Sequence, residues 1–444
     1  MKLQPQMPVI AIVLGALVAM ALPGYAAEEE VTYYEHVAPI LQANCQSCHR
    51  TQGEGKNIGS LVAPMPLLTY QEARPWARAI AAKVKSREMP PWFAAAPVGV
   101  FKKERILTEQ EIETIVAWAA SGAPAGDKSK EPAPLVFPDT EGWTLGEPDL
   151  IVSLPEPYFV PDDGEDVNAT FYTKLTEEVL PHDAMVRAWE FKSGTYIQGK
   201  DTVHHMGGGI SPPSFDRDSI FVEELEAEEV EVMSSASLGF TAGGTEPDQL
   251  PEGYGVLLEK GSTVGFSIHY YKEKGPGTGF WNNAQIGFYF AKGPIKHVVR
   301  SRIIGNQEFE IPPYAENHRI GAAWTTTKDT VLLALWPHSH LRGKAFKYVA
   351  TYPDGTEEVL IDMPVYDQTW QLSYRYREPK LLPKGTRIDV SGWFENTEAR
   401  GATRQFDPSM TVHGGPRTQD EMLSGLISYA ELEPGETYLT TQEP

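Results

Sequence analysis

The chain has 444 residues, more than one hydrophobic core usually serves, so we expect two or three domains. Its apolar and aromatic content is ordinary, which argues against a disordered or solenoid protein. The formal net charge of −22 at pH 7 argues against nucleic acid as a partner, because phosphate binding requires a basic surface.

The N-terminus has the pattern of an export signal. Lys2 precedes the apolar run PVIAIVLGALVAMAL, and the small residues Gly24 and Ala26 stand before a cleavage point after Ala26. The run is short for a membrane-spanning helix. We therefore expect residues 1–26 to be a cleaved signal peptide, the mature protein to be periplasmic, and the mature chain to contain no membrane span.

The only two cysteines lie in the sequence NCQSCHR, as Cys45 and Cys48, with His49 directly behind them. A disulfide here would close a very small loop, and a zinc site would need further thiolates or a histidine pair nearby. A thioredoxin-like redox pair does not explain the histidine. Cys-x-x-Cys-His is the attachment pattern of c-type haem, with the histidine placed to ligate the iron. We expect one covalent haem c per chain.

The sequence on either side of this motif predicts a small all-α domain over residues 28–128. The stretch YYEHVAPILQANCQSCH has the apolar spacing of a helix that leads into the motif. LTEQEIETIVAWAASGAPAGD predicts a closing helix, with Thr108 as its N-cap, Glu111 three residues later and Gly122 at its end. This domain resembles a monohaem class I cytochrome c.

Met89, in REMPPWF, is the predicted sixth ligand of the haem iron, since a thioether raises the haem potential. Met65 is the alternative, but it lies so close to the haem motif along the chain that the opposite face of the haem is hard for it to reach. The other interpretation of either methionine is a core residue.

A linker rich in proline and charge follows at residues 129–145. Beyond it, alternating stretches such as DTVLLALW and GTRIDVSGWFEN predict strands, and the Pro-Asp-Gly of YPDGTEE predicts a hairpin turn. Helical signals are scarce in this part of the chain. We expect two mainly antiparallel β sandwiches, at residues 146–295 and 296–444.

Histidines on these strands predict metal sites. His338 and His340 are two residues apart on a strand, so their side chains share one face. His204 and His205 are adjacent, so on a regular strand their side chains point to opposite faces. They can share a metal only where the strand bends, and the three following glycines make such a bend plausible. His269, on another strand, is a further candidate. Neutral imidazole suits copper, zinc, iron or nickel, so the pattern alone does not name the metal.

The fragments VHHM, IHY, PHSHLRG and TQDEMLSGLISY, in this order, resemble the copper type II, ascorbate-dependent monooxygenases. That family includes peptidylglycine α-hydroxylating monooxygenase and dopamine β-monooxygenase, and bacterial forms carry a fused haem domain. The resemblance covers roughly residues 146–432. It implies two jelly-roll domains and two copper ions per chain, one that passes electrons and one where oxygen binds and the C–H bond is attacked. The implied ligands are His204, His205 and His269 for the first ion, and His338, His340 and Met422 for the second.

Two positions depart from the peptide-hydroxylating members of that family. Those members have an arginine two residues before the His-x-His pair and a tyrosine four residues after the copper methionine, where this chain has Trp336 and Leu426. A peptide ending in glycine is therefore not the expected substrate. His413, just ahead of the methionine segment, and His182 are left open as additional metal-site residues.

The combined pattern predicts a periplasmic haem- and copper-containing monooxygenase that hydroxylates a C–H bond of a small organic substrate with O2. Electrons are expected to come from a periplasmic donor, such as another cytochrome. They are expected to pass through the haem to the three-histidine site first, because the other site must stay open to oxygen. One alternative is a non-catalytic electron-transfer or copper-binding haem protein. Another is a haem protein whose sandwiches form a docking module with structural histidines.

Overall fold

Helices dominate the beginning of the described chain and strands dominate the rest. The computed structural model describes residues 30–49, 65–136, 143–162, 167–194, 196–197, 200–201, 203–215, 221–222, 236–241, 247–270, 277–415 and 419–438. The predicted signal peptide, at residues 1–26, lies outside these ranges. Within them, no helix is long and apolar enough to cross a membrane.

The N-terminal helices surround one small core that includes Tyr33, Leu41 and Trp118. They begin with a π-helical turn, include two 3-10 turns, and comprise Tyr33–Val37 (π), α1 (Ala38–Asn44), α2 (Tyr70–Ala73), Arg74–Trp76 (3-10), α3 (Ala77–Lys85), α4 (Glu109–Ala120) and Lys128–Lys130 (3-10). The predicted start of α4 is confirmed, because Thr108 and Glu111 form a reciprocal capping box.

Short strands make up the remainder, with a helix, α5 (Glu398–Arg404), between the last few. The strands up to residue 290 are β1 (Leu150–Ser153), β2 (Tyr158–Val160), β3 (Val167–Lys174), β4 (Ala184–Lys192), β5 (Tyr196–Ile197), β6 (Lys200–Asp201), β7 (Val203–Ser211), β8 (Phe221–Val222), β9 (Ala236–Thr241), β10 (Asp248–Gln249), β11 (Tyr254–Leu258), β12 (Thr263–Tyr270), β13 (Phe280–Asn282) and β14 (Gln285–Phe290). The later strands are β15 (His297–Asn306), β16 (Glu310–Ile311), β17 (His318–Thr325), β18 (Thr330–His338), β19 (Gly343–Thr351), β20 (Glu357–Met363), β21 (Tyr374–Leu382), β22 (Arg387–Phe394), β23 (Val412–His413) and β24 (Leu423–Glu431).

Three sheets contain most of these strands. The longest has the order β1-β14-β4-β11-β15-β24-β18-β21, with β10 beside β4, and the others are β8-β3-β12-β7-β9 and β17-β22-β19-β20. Among the described strand pairs only β11 and β15 run parallel, where Tyr254 lies opposite His297. A helical domain followed by a mainly antiparallel β region is therefore confirmed, whereas the jelly-roll topology and the domain boundaries stay predictions.

Two hydrophobic cores fill the space beside the long sheet. The first packs against the five-stranded sheet and includes Phe171, Trp189 and Phe266. The second packs against the four-stranded sheet and includes Phe346 and Val390. We call the two units the first and the second sandwich.

Strand β18 lies between the two cores. Val331 and Leu333 belong to the first core, whereas Leu332 and Leu335 belong to the second. A bulge between Leu332 and Ala334 adjusts the alternation of side chains. A strand that is buried on both faces needs apolar residues throughout, which explains the run TVLLALW.

Residues 92–102 leave the helical domain and pack on the second sandwich, and we call them the docking segment. Phe101 is fully buried in the second core and forms an antiparallel bridge with Tyr376 of β21. The Ala95 N–H donates to the Asp362 carbonyl of β20 at 2.7 Å. Because α3 precedes the segment and α4 follows it, the helical domain contacts the second sandwich through its own loop.

Candidate functional site

The two cysteines occupy a turn at the end of α1. The N–H groups of Cys48 and His49 donate to the Cys45 carbonyl oxygen, at 3.1 and 2.9 Å. The two cysteines form no disulfide, and both are half-buried. Burial raises the pKa of the Cys45 thiol to about 12, so this thiol is not the ready thiolate that a thioredoxin-like pair uses. The turn fits two thioether bonds to a haem.

One hydrogen bond orients His49 for iron ligation. Its Nδ1 lies 3.1 Å from the Met65 carbonyl oxygen. A carbonyl oxygen can only accept, so Nδ1 carries the proton and Nε2 is the ligating nitrogen. Burial lowers the pKa of the His49 ring by more than the bond to Met65 raises it. The lowered pKa favours the neutral imidazole, which is the form that binds iron.

The two candidates for the sixth ligand differ in their relation to His49. The Met65 backbone is bound to Nδ1, the side of the ring away from Nε2. If Nε2 binds the haem iron, the Met65 side chain starts on the His49 side of the haem. Its thioether would have to pass around the haem to bind the iron from the opposite side. Met89 follows the end of α3, where its N–H donates to the Lys83 carbonyl at 3.2 Å. The arrangement favours Met89, and its ligand role stays a prediction.

His338 and His340 lie together at the end of β18. Their ring centroids are 5.3 Å apart and the ring planes are at 81°. His338 Nδ1 lies 2.9 Å from Gln371 Oε1, and His340 Nδ1 lies 3.1 Å from the Asp420 carbonyl oxygen. A metal shared by the two rings would be bound through Nε2 of each, with the Nδ1 bonds setting ring orientation. Burial lowers the pKa of His338, which favours the neutral, metal-binding form.

Strand β24 brings Met422 to the same place. In the antiparallel pair of β18 and β24, His338 lies opposite Ser424. His340 lies two residues beyond the end of β18, and Met422, which is 9% exposed, directly precedes β24. The Glu421 carboxylate accepts the N–H of both His340 and Met422, so the predicted ligands lie near one another at the ends of β18 and β24, although they are far apart in sequence.

Glu421 connects the two ligand segments. Its buried carboxylate accepts the N–H of His340 at 2.9 Å, the N–H of Met422 at 3.3 Å, and the N–H of Arg342. Burial raises the pKa of Glu421 to about 7, although these amides and the Arg342 guanidinium act in the opposite direction. The carboxyl group thus fixes the backbone on both sides of the candidate metal position.

Sequence reasoning missed the residues that hold the ligands in place, namely Gln371, Tyr366 and Glu421. The Tyr366 hydroxyl donates to the Ser339 carbonyl at 2.8 Å and lies 3.1 Å from the Ser339 N–H. Gln371 and Tyr366 come from the loop before β21, which no local pattern connects to β18. Only Glu421 had a usable signal, since it directly precedes Met422.

The three-histidine prediction falls on neighbouring strands of the five-stranded sheet. The backbone of His205 lies opposite His269 in the antiparallel pair of β7 and β12. The register shifts immediately beyond this pair, which leaves His204 as an extra residue, as in a β-bulge. The expected bend is therefore at His204, and the following glycines stay in register with β12. The side chains of His204 and His205 lie outside the described residues, so this copper site stays a prediction.

The other histidines left open by the sequence are at the surface. His413 is 63% exposed, with Nδ1 3.5 Å from Glu310 Oε1, and His182 is exposed as well. Within the described parts of the chain, no three side chains of His, Cys, Asp or Glu converge closely enough to hold a metal ion. The set of His338, His340 and Met422 contains only two such side chains, because its third ligand is a thioether.

The cysteine turn, the oriented histidine and the helical core around them define a c-type haem domain. Residues 35–122 match the cytochrome c family model. The N-terminal part of the chain is therefore a cytochrome c domain, which implies covalently bound haem c and electron transfer.

No curated protein matches the chain. Two viral structures show a weak likeness to it. The structure of infectious bursal disease virus, Gx strain, has 11% identity and a TM-score of 0.18, over 64% of this chain and 71% of that chain. Broad Bean Stain Virus has 8% identity and a TM-score of 0.31, over 67% of this chain and 93% of that chain. TM-scores this low do not establish a shared fold.

Proposed function

We propose that this protein is a periplasmic haem- and copper-containing monooxygenase that hydroxylates a C–H bond of a small organic substrate. The overall reaction combines the substrate, O2, two electrons and two protons, and yields the hydroxylated product and water. Copper, when bound and reduced, would be the species that reacts with O2. The cytochrome c domain receives electrons one at a time from a periplasmic donor.

The observation that carries the proposal is the arrangement of His338, His340 and Met422. The two imidazoles are oriented by hydrogen bonds from Nδ1 to protein oxygens, and the Glu421 carboxylate accepts the N–H of both His340 and Met422. Imidazole and thioether ligands together suit Cu(I). A purely structural pair of histidines would not need a neighbouring methionine held by the same carboxylate.

The three-histidine set supports a second copper ion. His205 and His269 are cross-strand neighbours, and the bulge at His204 supplies the local irregularity that two adjacent ligands require. Each ion then carries one of the two electrons that a turnover consumes.

The residues beside the His-x-His pair favour a substrate without a carboxylate. Trp336 and Leu426 are register partners on β18 and β24, and with Ala334 they form a buried apolar cluster. An arginine or a tyrosine at these positions could hold a carboxylate by hydrogen bonds, whereas this cluster offers apolar contact. We expect a neutral or largely apolar substrate.

The proposal is tested by counting metals in the purified holoprotein by mass spectrometry, alongside oxygen uptake with the haem reduced. We expect one iron and two copper ions in the wild type. His338→Ala should lose one copper and all substrate-dependent oxygen uptake, and His204→Ala should lose the other copper. His413→Ala, which changes an exposed histidine, is the matched control and should keep both.

Iron without copper in the wild type would contradict the proposal. Zinc in the histidine sites would contradict it as well. Full copper without any oxygen uptake across a panel of apolar substrates would support the non-catalytic electron-transfer protein instead.

A further inference from the structure

The docking segment brings an aromatic side chain of the cytochrome domain into the second sandwich. Trp92 packs against Tyr374 of β21, with ring centroids 5.0 Å apart and planes at 65°. Phe101 lies 5.6 Å from the Tyr374 ring and 6.2 Å from the Trp92 ring, centroid to centroid. The three rings form one packed cluster with edge-to-face geometry.

On the haem side, Trp92 is close to the predicted sixth ligand. Only Pro90 and Pro91 separate it from Met89. Three residues of chain extend over about 10 Å at most, so the Trp92 backbone lies within that distance of the Met89 backbone. We call the loop that carries Met89 the haem loop. Pro91 is buried and proline restricts the backbone, so Trp92 can move little relative to this loop.

On the copper side, Tyr374 is connected to His338 along the chain and through one hydrogen bond. It lies opposite Leu335 in the pair of β21 and β18, three residues before His338. Gln371, three residues before Tyr374, has its Oε1 2.9 Å from His338 Nδ1. Packed rings, a short piece of chain and one hydrogen bond thus join the haem loop to a candidate copper ligand.

We propose that Trp92 and Tyr374 form the route by which electrons leave the cytochrome domain, and that the site of His338 and His340 receives them first. This inference rests on the proposed function. Each transfer oxidises ferrous haem to ferric haem and reduces Cu(II) to Cu(I), and an external one-electron donor protein reduces the haem again. The two rings mediate the transfer without being oxidised or reduced themselves.

The contacts that support this route reverse the order expected from the sequence, in which the three-histidine site is reduced first. The docking segment contacts β20 and β21 of the second sandwich. The three-histidine strands, β7 and β12, belong to the five-stranded sheet that packs on the first core. The second sandwich therefore has the shorter connection to the haem loop.

The test uses the full-length holoprotein with copper as Cu(II), in the absence of oxygen. The haem is reduced by a light pulse with a soluble photoreductant, and its reoxidation is followed by visible absorption. Trp92→Met and Trp92→Phe place side chains of similar size at this position. Methionine has no aromatic ring, whereas phenylalanine keeps one. We expect Trp92→Met to slow reoxidation by roughly an order of magnitude and Trp92→Phe to slow it much less. Trp76→Leu, at an exposed tryptophan of the same domain, should leave the rate unchanged.

The receiving site is identified with the same measurement on copper-ligand variants. His338→Ala should abolish the fast reoxidation, and His204→Ala should retain it. If Trp92→Met keeps both copper ions and its haem is still reoxidised fast, the route through Trp92 is overturned. The proposed function is not affected by that result. Loss of the fast phase in His204→Ala, with His338→Ala unaffected, would overturn the order. A wild-type protein that binds no copper would overturn the proposed function and this inference together, and the metal count distinguishes that case.

Discussion

His297 is a buried histidine, remote in the sheet from the haem and copper candidates, at the point where β15 meets β11. Its side chain is 1% exposed, and its ring lies 4.8 Å from the Tyr254 ring, centroid to centroid. Glu436 Oε1 lies 3.3 Å from Nδ1. Burial lowers the pKa of His297, and the Glu436 carboxylate offsets this only in part.

The lowered pKa predicts a loss of stability in acid. The folded state binds the proton of His297 less tightly than the unfolded state does. The neutral ring therefore makes its full contribution to the free energy of unfolding above the unfolded pKa of about 6.5. This contribution is lost as the pH falls through the folded pKa. We expect His297→Gln to reduce the fall in the free energy of unfolding between about pH 7 and pH 5, by about 1.4 kcal/mol for each unit of pKa shift. Urea unfolding at stepped pH measures it. His182→Gln, at an exposed histidine, should match the wild type, and an unchanged pH profile in His297→Gln would contradict the prediction.

Single residues show what sequence reasoning reaches and what it misses. His338 and His340 were predicted as a pair from the period of a strand; their rings do lie together, although β18 ends at His338 and His340 lies beyond it. Gln371 and Glu421, which orient them, could not be predicted, because a glutamine or glutamate acquires such a role only when a distant segment folds against it. The two histidines were therefore predictable as neighbours, their hydrogen-bond partners were not, and their role as metal ligands stays a prediction.

At the scale of single elements, α4 depends on its capping box for its start. The Thr108 hydroxyl accepts the Glu111 N–H at 3.2 Å, and the Glu111 carboxylate accepts the Thr108 N–H at 2.7 Å. We expect Thr108→Ala to lower the free energy of unfolding of the cytochrome domain by about 1 kcal/mol. Thermal unfolding followed at the haem absorption measures the change.

The matched control is Thr114→Ala, in the middle of the same helix. Its hydroxyl donates to the Gln110 carbonyl at 2.7 Å, a bond within the helix that replaces no missing backbone partner. Alanine has the higher helix propensity, so this change should be neutral or slightly stabilising. Equal losses in the two variants would show that the capping box contributes nothing of its own.

Elements defined by neighbouring residues were predictable for the same local reason. The Pro-Asp-Gly turn joins β19 and β20 as expected, and Gly355 has the positive φ of +86° that such a turn uses. The sequence pattern predicts the bend of β7 at His204 and His205, with the following glycines as its support. The register with β12 does shift at His204, and the register with β9 shifts again between Gly208 and Gly209. A bulge depends on the partner strand, and a sequence pattern within one strand does not contain that information.

At the scale of the whole molecule, the stability of the second sandwich is expected to depend on a residue from the cytochrome half of the chain. Phe101 is fully buried in the second core. Phe101→Ala should lower the free energy of unfolding of the β region by about 3–5 kcal/mol. Thermal unfolding followed by far-ultraviolet circular dichroism reports the strands, and the haem absorption reports the cytochrome domain. Val98→Ala, in the same segment but 77% exposed, is the control. A shift confined to the haem signal would contradict the prediction.

The succession of a helical domain and a β region could be predicted because periodicity changes abruptly after the linker. The docking segment could not, since REMPPWFAAAPVGVF has no periodicity of its own and its partners are remote. In one of these contacts, Arg377 Nε donates to the Gly99 carbonyl across 278 positions of sequence. Contacts at that separation are specified by the assembled surfaces of both partners.

The docking segment also sets an order of assembly. Synthesis from the N-terminus makes the haem motif first, the docking segment next and β21 much later. During that interval Phe101 has no core to enter, and a chaperone that binds apolar stretches would find one next to the haem loop. Closing so long a loop costs only slightly more entropy than closing a short one, because the cost grows with the logarithm of its length. The delay is therefore one of synthesis, and the second core is completed only when β21 meets a segment that was made long before it.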